Sequence, residues 1–199
     1  MGRGIIVFGA SGSGTTALGV ELSRLLGFTH FDLDDYFWNW DTEIPFTAPC
    51  PRKERIEKLM KAVGDCTSFV MSGSLCGWDE PFVPLFDLAV FVTTATPTRI
   101  ERLHRRELSE LGDRILAGGD MYDVHNDFLV WASQYDDILK PPERCFALHE
   151  QWAETLLCHV VRVDGADAIE ANATKIMEQY YRIIAANIAE HEVREKYGI

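Results

Sequence analysis

Gly9-Ala10-Ser11-Gly12-Ser13-Gly14-Thr15-Thr16 decides how this sequence is read. It follows an apolar run, Ile5-Ile6-Val7-Phe8, and leads into a helical pattern whose buried face is marked by Leu18, Leu22, Leu25 and Leu26. Strand, glycine-rich loop and helix in that order are the context of a phosphate-binding P-loop. The glycines let the backbone curl until its N–H groups face an anion, and the helix start adds its positive dipole end. Gly9, Ser11, Gly12, Ser13, Gly14, Thr15 and Thr16 are therefore candidate phosphate-binding residues, with the Thr16 hydroxyl placed to meet Mg²⁺. One position departs from G-x-x-x-x-G-K-[ST]: Thr15 stands where the pattern has lysine. A threonine donates a hydrogen bond but neutralises no phosphate charge.

Outward from this stretch, strands and helices alternate. Strands are expected at Gly4–Phe8, Thr29–Phe31, Ser68–Met71, Leu88–Val92 and His159–Val163. Helices are expected at Gly14–Leu26, Arg52–Val63, Thr98–Leu111, Asn126–Leu139, Ala147–Leu156 and Ala168–Glu195, with Pro141-Pro142 ending the fourth. Tyr36 to Pro51 reads as irregular. This alternation predicts an α/β fold with a doubly wound parallel sheet, helices on both faces, and ligands beyond the carboxyl ends of the strands. The P-loop, Asp32 with Asp34, and Ser72-Gly73-Ser74 all fall at such ends.

The 199 residues fit a single domain with a substantial core. No apolar run reaches the roughly 20 residues of a bilayer span, and Ile5–Phe8 is too short for a signal-peptide core. A soluble, cytoplasmic protein is expected. The five cysteines are odd in number and lack C-x-x-C spacing, so free thiols are expected rather than disulfides or a zinc site. A formal charge of −12 argues against nucleic-acid or membrane partners. Against that acidic background, Arg99, Arg102, Arg105, Arg106 and Arg114 concentrate positive charge in one region.

Arg99, Arg102 and Arg106 fall at i, i+3 and i+7, on one helical face, and arginine offers forked, permanently charged contacts to phosphate. The cluster is the natural replacement for the missing lysine; the plainer reading is a solvated face paired with Glu101, Glu107 and Glu110. Asp32 and Asp34 bracket Leu33 at a strand end. In an extended segment the two carboxylates would point the same way, to hold Mg²⁺ through water and to orient or deprotonate a hydroxyl. The plainer reading is that they cap the next turn. Tyr36, Phe37, Trp38, Trp40 and Phe46 form either a wall for a planar substrate or a self-anchored cluster. Arg52 and Arg55 are placed to meet a second substrate's phosphate, or are surface residues. Gly73 and Ser74 offer donors beside the same crevice.

These residues together resemble the P-loop small-molecule and nucleoside-monophosphate kinases, which include adenylate and shikimate kinases. The resemblance runs the length of the chain in element order. It is carried by GASGSGTT at Gly9–Thr16, FDLDD at Phe31–Asp35, SGS at Ser72–Ser74 and the arginines from Arg99 to Arg114. The chain is also similar to bacterial adenylate-kinase-related ATPases carrying a GDRI-x-x-GGDMY segment, here Gly112–Tyr122. The resemblance implies a P-loop NTPase fold with a five-stranded sheet in order 2-3-1-4-5, an acceptor-side insertion about 35–65 and an arginine-rich lid about 105–125. It implies ATP and Mg²⁺ as ligands, Thr16 and Asp32 at the metal, and Asp34 at the acceptor hydroxyl. Arg106 and Arg114 would clamp the transferring group, and Arg55, Gly73 and Ser74 would contact the acceptor. The D-G-[FY]-P-R segment of adenylate kinases is absent after the third strand, where Ser72-Gly73-Ser74-Leu75-Cys76-Gly77 stands. The expected activity is phosphoryl transfer from ATP to a small metabolite or nucleotide. The rival expectations are a non-catalytic or weakly hydrolytic nucleotide sensor, and a binder of non-nucleotide phosphate.

Overall fold

A computed structural model describes residues 3–139 and 144–197. The expected end of a helix at Pro141-Pro142 lies outside the described residues. Continuous apolar runs form the strands β1 (Arg3–Gly9), β2 (Thr29–Asp32), β3 (Ser68–Ser72), β4 (Phe86–Thr93) and β5 (His159–Asp164). Every pair is parallel, in the order β2-β3-β1-β4-β5. A parallel sheet covered on both faces is buried on both, and β1 is inaccessible from Ile5 to Phe8. The strand period of two divides those residues between two cores. Ile6 and Phe8 pack with Leu59, Trp152 and Ala153. Ile5 and Val7 pack with Leu18, Leu22, Ala173 and Ile176.

The helices are α1 (Thr15–Leu26), α2 (Asp34–Phe37), α3 (Arg52–Gly64), α4 (Thr96–Leu111), α5 (Tyr122–Ser133), α6 (Phe146–Thr155) and α7 (Ile169–Tyr197). The cores thus put α1 and α7 on one face, α3 and α6 on the other. Gly27 ends α1 in the left-handed region, φ 69°, as a terminating glycine does. Among the described residues no helix is long and apolar enough to cross a membrane, and all five cysteines are free thiols.

Two elements differ from the expectation. The chain turns helical at Leu33 (φ −69°, ψ −22°) instead of continuing extended, because the Asp32 side chain accepts the Asp34 N–H at 3.0 Å while Leu33 is buried. The helix expected at Asn126–Leu139 begins earlier, at Tyr122, and gives way to a 3₁₀ turn at Gln134–Asp136. Arg99 reaches Ala132 O and Asp136 there and fixes that tightening.

Sheet register brings the functional segments together. Asp32 pairs with Ser72, Val7 pairs with Ser72, and Gly9 pairs with Val92. The P-loop, the Asp32–Asp34 corner and the Ser72–Ser74 turn therefore share one edge of the sheet.

Candidate functional site

The loop after β1 is shaped as a nest. Gly12 and Gly14 adopt left-handed backbone, φ 78° and 101°. A Cβ at Gly12 would lie 2.6 Å from Arg99 O, so the loop is pressed onto α4 as well as curled. Among the described residues nothing accepts a hydrogen bond from the Gly12 or Gly14 N–H, and α1 starts at Thr15 without a side-chain cap. These donors and the positive end of α1 fit a phosphate chain. Ser13 points the other way. Its side chain is fully buried with Oγ unpaired, its N–H goes to Ala10 O at 3.1 Å, and its carbonyl accepts Thr94 Oγ1 at 3.2 Å. Ser13 shapes the loop rather than presenting a hydroxyl to a ligand.

Beside the nest, Thr16 Oγ1 donates to Asp32 Oδ2 at 3.0 Å. Two hard oxygen donors at that spacing suit Mg²⁺. Among the described residues no cluster of three or more His, Cys, Asp or Glu could hold a metal ion. A cation here would need its remaining ligands from phosphate and water, as Mg²⁺ commonly does. Asp32 combines both sequence readings, since its other oxygen caps α2.

Asp34 opens α2 and is exposed to solvent, yet protein crowds its carboxyl. That desolvation raises its pKa above 3.8; Arg144 and Arg106 oppose the rise, and Asp32 adds to it. The open face tempers the size of the shift, but its direction follows from the crowding. Arg106 and Arg144 are thus the cations that act on this carboxyl.

The α4 arginines separate by what each turn of the helix meets. Arg99, fully buried, bonds Thr94 O, Ser11 O, Ala132 O, Thr96 and Asp136, and lies over the Tyr135 ring. It props the P-loop from behind and has no reach to a ligand. Arg102 bonds Gly165 O at 3.0 Å, and its Nη1 stands 3.9 Å from where a Gly14 Cβ would be, so it carries charge to the rim of the nest. Arg105 pairs with Glu101, the solvated reading. Arg106 leaves α4 exposed, one turn beyond Arg102. Arg114 is exposed and forked onto Asp120, at 3.0 and 2.7 Å, so the structure engages it within its own loop rather than at the crevice.

On the acceptor side, the Arg55 guanidinium is sandwiched between Phe37 at 4.4 Å and Trp78 at 4.9 Å. Its Nε is buried without a partner. Burial lowers its pKa below the ordinary arginine value, with Arg52 and Arg144 adding like-charge repulsion. Arg144 stands 5.5 Å from the Phe37 ring. Arg52 is occupied by Gly77 O and Glu80. Among the described residues neither Arg55 nor Arg144 has an acidic partner in a salt bridge. The rings of Trp38 and Trp40 both pack edge to face on Phe46, and Trp38 bridges to Pro49 at the loop base, which is the self-anchored reading.

Gly73 turns the chain at φ 121° and donates to Val7 O. Ser74 is buried and belongs to an interior chain: Ser74 Oγ to His149 Nε2 is 3.0 Å, and His149 Nδ1 to Tyr135 OH is 2.6 Å. Burial holds the Tyr135 hydroxyl protonated and, with the charge of Arg144, pushes His149 down to about 3. The neutral imidazole donates through one ring nitrogen and accepts through the other, so the Ser74 and Tyr135 hydroxyls take complementary roles on it. Ser74 links the acceptor-side turn to Tyr135, on whose ring Arg99 rests behind the P-loop.

Sequence reasoning missed Arg144. It follows a proline pair in a connection without periodicity, and its only signal is being an arginine on a segment returning to the strand-end face. The sequence also carried no sign of the His149 chain.

Comparison with known proteins agrees with this architecture. The AAA domain family matches residues 5–118. The uncharacterized protein YqaC of Bacillus subtilis (strain 168) is 35% identical over 178 residues, covering 89% of this chain and 97% of that protein. Shikimate kinase from Acinetobacter baumannii, solved with shikimate, superposes with a TM-score of 0.53 at 15% identity, over 94% of this chain and 95% of that one. A gluconokinase from Sinorhizobium meliloti 1021 gives 0.52 at 14%, over 96% and 97%. Those two share the fold. The strand order agrees with that shared fold, and the chain belongs to the AAA domain family of P-loop NTPases, built on the P-loop kinase fold.

Proposed function

We propose that the protein is an ATP-dependent phosphotransferase whose acceptor is a small hydroxylated molecule bearing a carboxylate or phosphate. The observation that carries this is Asp34 at the start of α2, whose N–H meets the Asp32 carboxylate that also accepts Thr16, while Arg55 lies on Phe37 at the end of the same helix with its Nε unpartnered; the charges of Arg144 and Arg106 lower the Asp34 pKa against burial. The nest from Gly9 to Thr16 holds the β- and γ-phosphates, with Arg102 at its rim. Thr16 and, through water, Asp32 would hold Mg²⁺, which would supply positive charge against those phosphates. Asp34 accepts the acceptor's hydroxyl proton as that oxygen bonds to the γ-phosphorus. The bond from phosphorus to the bridging oxygen breaks and ADP leaves. Arg106 meets the charge on the transferring group. Residues about 35–65 close the acceptor side and 105–125 the phosphate side of a single kinase-like domain, and a cytoplasmic location supplies the ATP.

The test is Mg²⁺-dependent ADP release across a panel of hydroxylated carboxylates, sugar phosphates and neutral polyols. Anionic members are expected to stimulate release. Arg144→Leu should raise their KM by about tenfold or more while sparing ATP affinity, the size of a lost charge-assisted contact. No stimulation in a sample that binds ATP overturns the proposal.

Thr15 is the observation favouring a rival, a nucleotide sensor without transfer. Under the kinase reading, Thr15→Lys changes ATP affinity less than about threefold, whereas Arg106→Ala lowers turnover by about 10²-fold or more. A large gain in affinity or hydrolysis from Thr15→Lys, with Arg106→Ala silent, favours the sensor.

A further inference from the structure

Outside the site, α4 and α5 are joined by a hydrogen-bonded chain of titratable groups. Glu107 Oε2 meets His125 Nδ1 at 2.5 Å, and His125 Nε2 meets His104 Nδ1 at 2.9 Å. His125 is 4% exposed and the Glu107 side chain 14%. A carboxylate only accepts, so its hydrogen bond fixes the His125 proton on Nδ1. Nε2 then accepts, and His104 supplies its Nδ1–H. One carboxylate oxygen is thereby held toward α5. The other, Oε1, is 3.9 Å from Arg106 Nη2, beyond hydrogen-bond range.

Glu107 is the neighbour of Arg106 in sequence and the nearest competitor for its guanidinium. We infer that His125 is a positioning residue: by holding the Glu107 carboxylate on α5, it limits the Arg106–Glu107 ion pair to a long 3.9 Å contact without a hydrogen bond and leaves Arg106 free to turn to the phosphoryl group of ATP. This rests on the reading above that Arg106 meets that group. If the chain only glued two helices together, any loss from breaking it would be a loss of stability, and removing both partners would be no better than removing one.

His125→Phe removes the donor while filling its space. Titration calorimetry with Mg²⁺-ATP, and with adenosine as a phosphate-free control, is expected to show ATP affinity falling about tenfold and adenosine affinity unchanged. Glu107→Gln alone should bind ATP as the wild type does. Added to His125→Phe it should restore affinity, because an amide cannot ion-pair with Arg106. His125→Gln, which keeps a donor, should lie near wild type and serves where His125→Phe is poorly folded. Equal ATP affinity in wild type and His125→Phe, or a double variant as weak as the single, overturns the inference alone. A wild type that binds no ATP overturns this inference together with the proposed function.

Discussion

Asp34→Asn is expected to abolish acceptor-stimulated ADP release and at the same time raise the melting temperature. The first effect follows from removing the proton acceptor, a loss of about 10²- to 10⁴-fold. The second follows from the raised pKa. The folded state binds the Asp34 proton more tightly than the unfolded chain does, so above both pKa values the ionised carboxylate costs stability. That cost fades as pH falls through the folded value toward 3.8. Asparagine carries no such charge, so its stabilising effect should be largest at neutral pH and vanish in acid. Thermal melts of both proteins at pH 7 and pH 4 check it. A less stable Asp34→Asn protein at pH 7 would show that the carboxylate is not under strain. Acceptor-stimulated turnover also carries an acid limb shifted upward from 3.8, since Asp34 must be ionised to act.

The second large effect concerns pH and the interior. His149 titrates near 6.5 when unfolded and is pushed down to about 3 when folded. Below pH 6.5 the unfolded state takes up a proton that the folded state refuses, so stability falls with falling pH until about pH 3. The full shift corresponds to about 5 kcal/mol, about 3 of it lost between pH 7 and pH 4, a large share of the ~5–15 kcal/mol that holds a typical domain. Urea denaturation from pH 7 to pH 4 should show this loss. His149→Phe should be less stable at pH 7, having stranded Ser74 and Tyr135, but should lose less on acidification. His30, also lowered by burial, acts in the same direction, so the comparison with the variant isolates His149. Parallel pH slopes in the two proteins would place the acid sensitivity elsewhere.

The strands and the P-loop were legible because both are written locally, in unbroken apolar runs and in glycine spacing, whereas the strand order β2-β3-β1-β4-β5 was implied by the resemblance to P-loop kinases. The corner at Leu33 was not. Four residues do not nucleate a helix by propensity; α2 exists because Asp32 caps it and Leu33 is buried beneath it. Asp32 and Asp34 were still placed at the crevice by the strand end itself. The α4 arginines show the limit of periodicity. Spacing places Arg99, Arg102 and Arg106 on one face, but not what that face meets. The first turn lies under the P-loop and buries Arg99, the next reaches its rim, and the third projects beyond. Arg114 looked like a clamp because the sequence cannot show that Asp120 already fills its fork. Arg144 and the His149 chain depend on how distant segments dock, which no local pattern records.

Arg99 has a further consequence. Bonded to Ser11 O, Thr94 O and Ala132 O, it welds the first turn of α4 to the back of the phosphate loop and to the end of α5. Arg102 and Arg106, proposed above to take the place of the missing lysine, thus grow from a foundation shared with the nest itself. A charge carried on a swinging flap must be re-ordered in each turnover, whereas Arg102, rooted one turn above that weld, has its distance from the phosphates fixed once, when the chain folds.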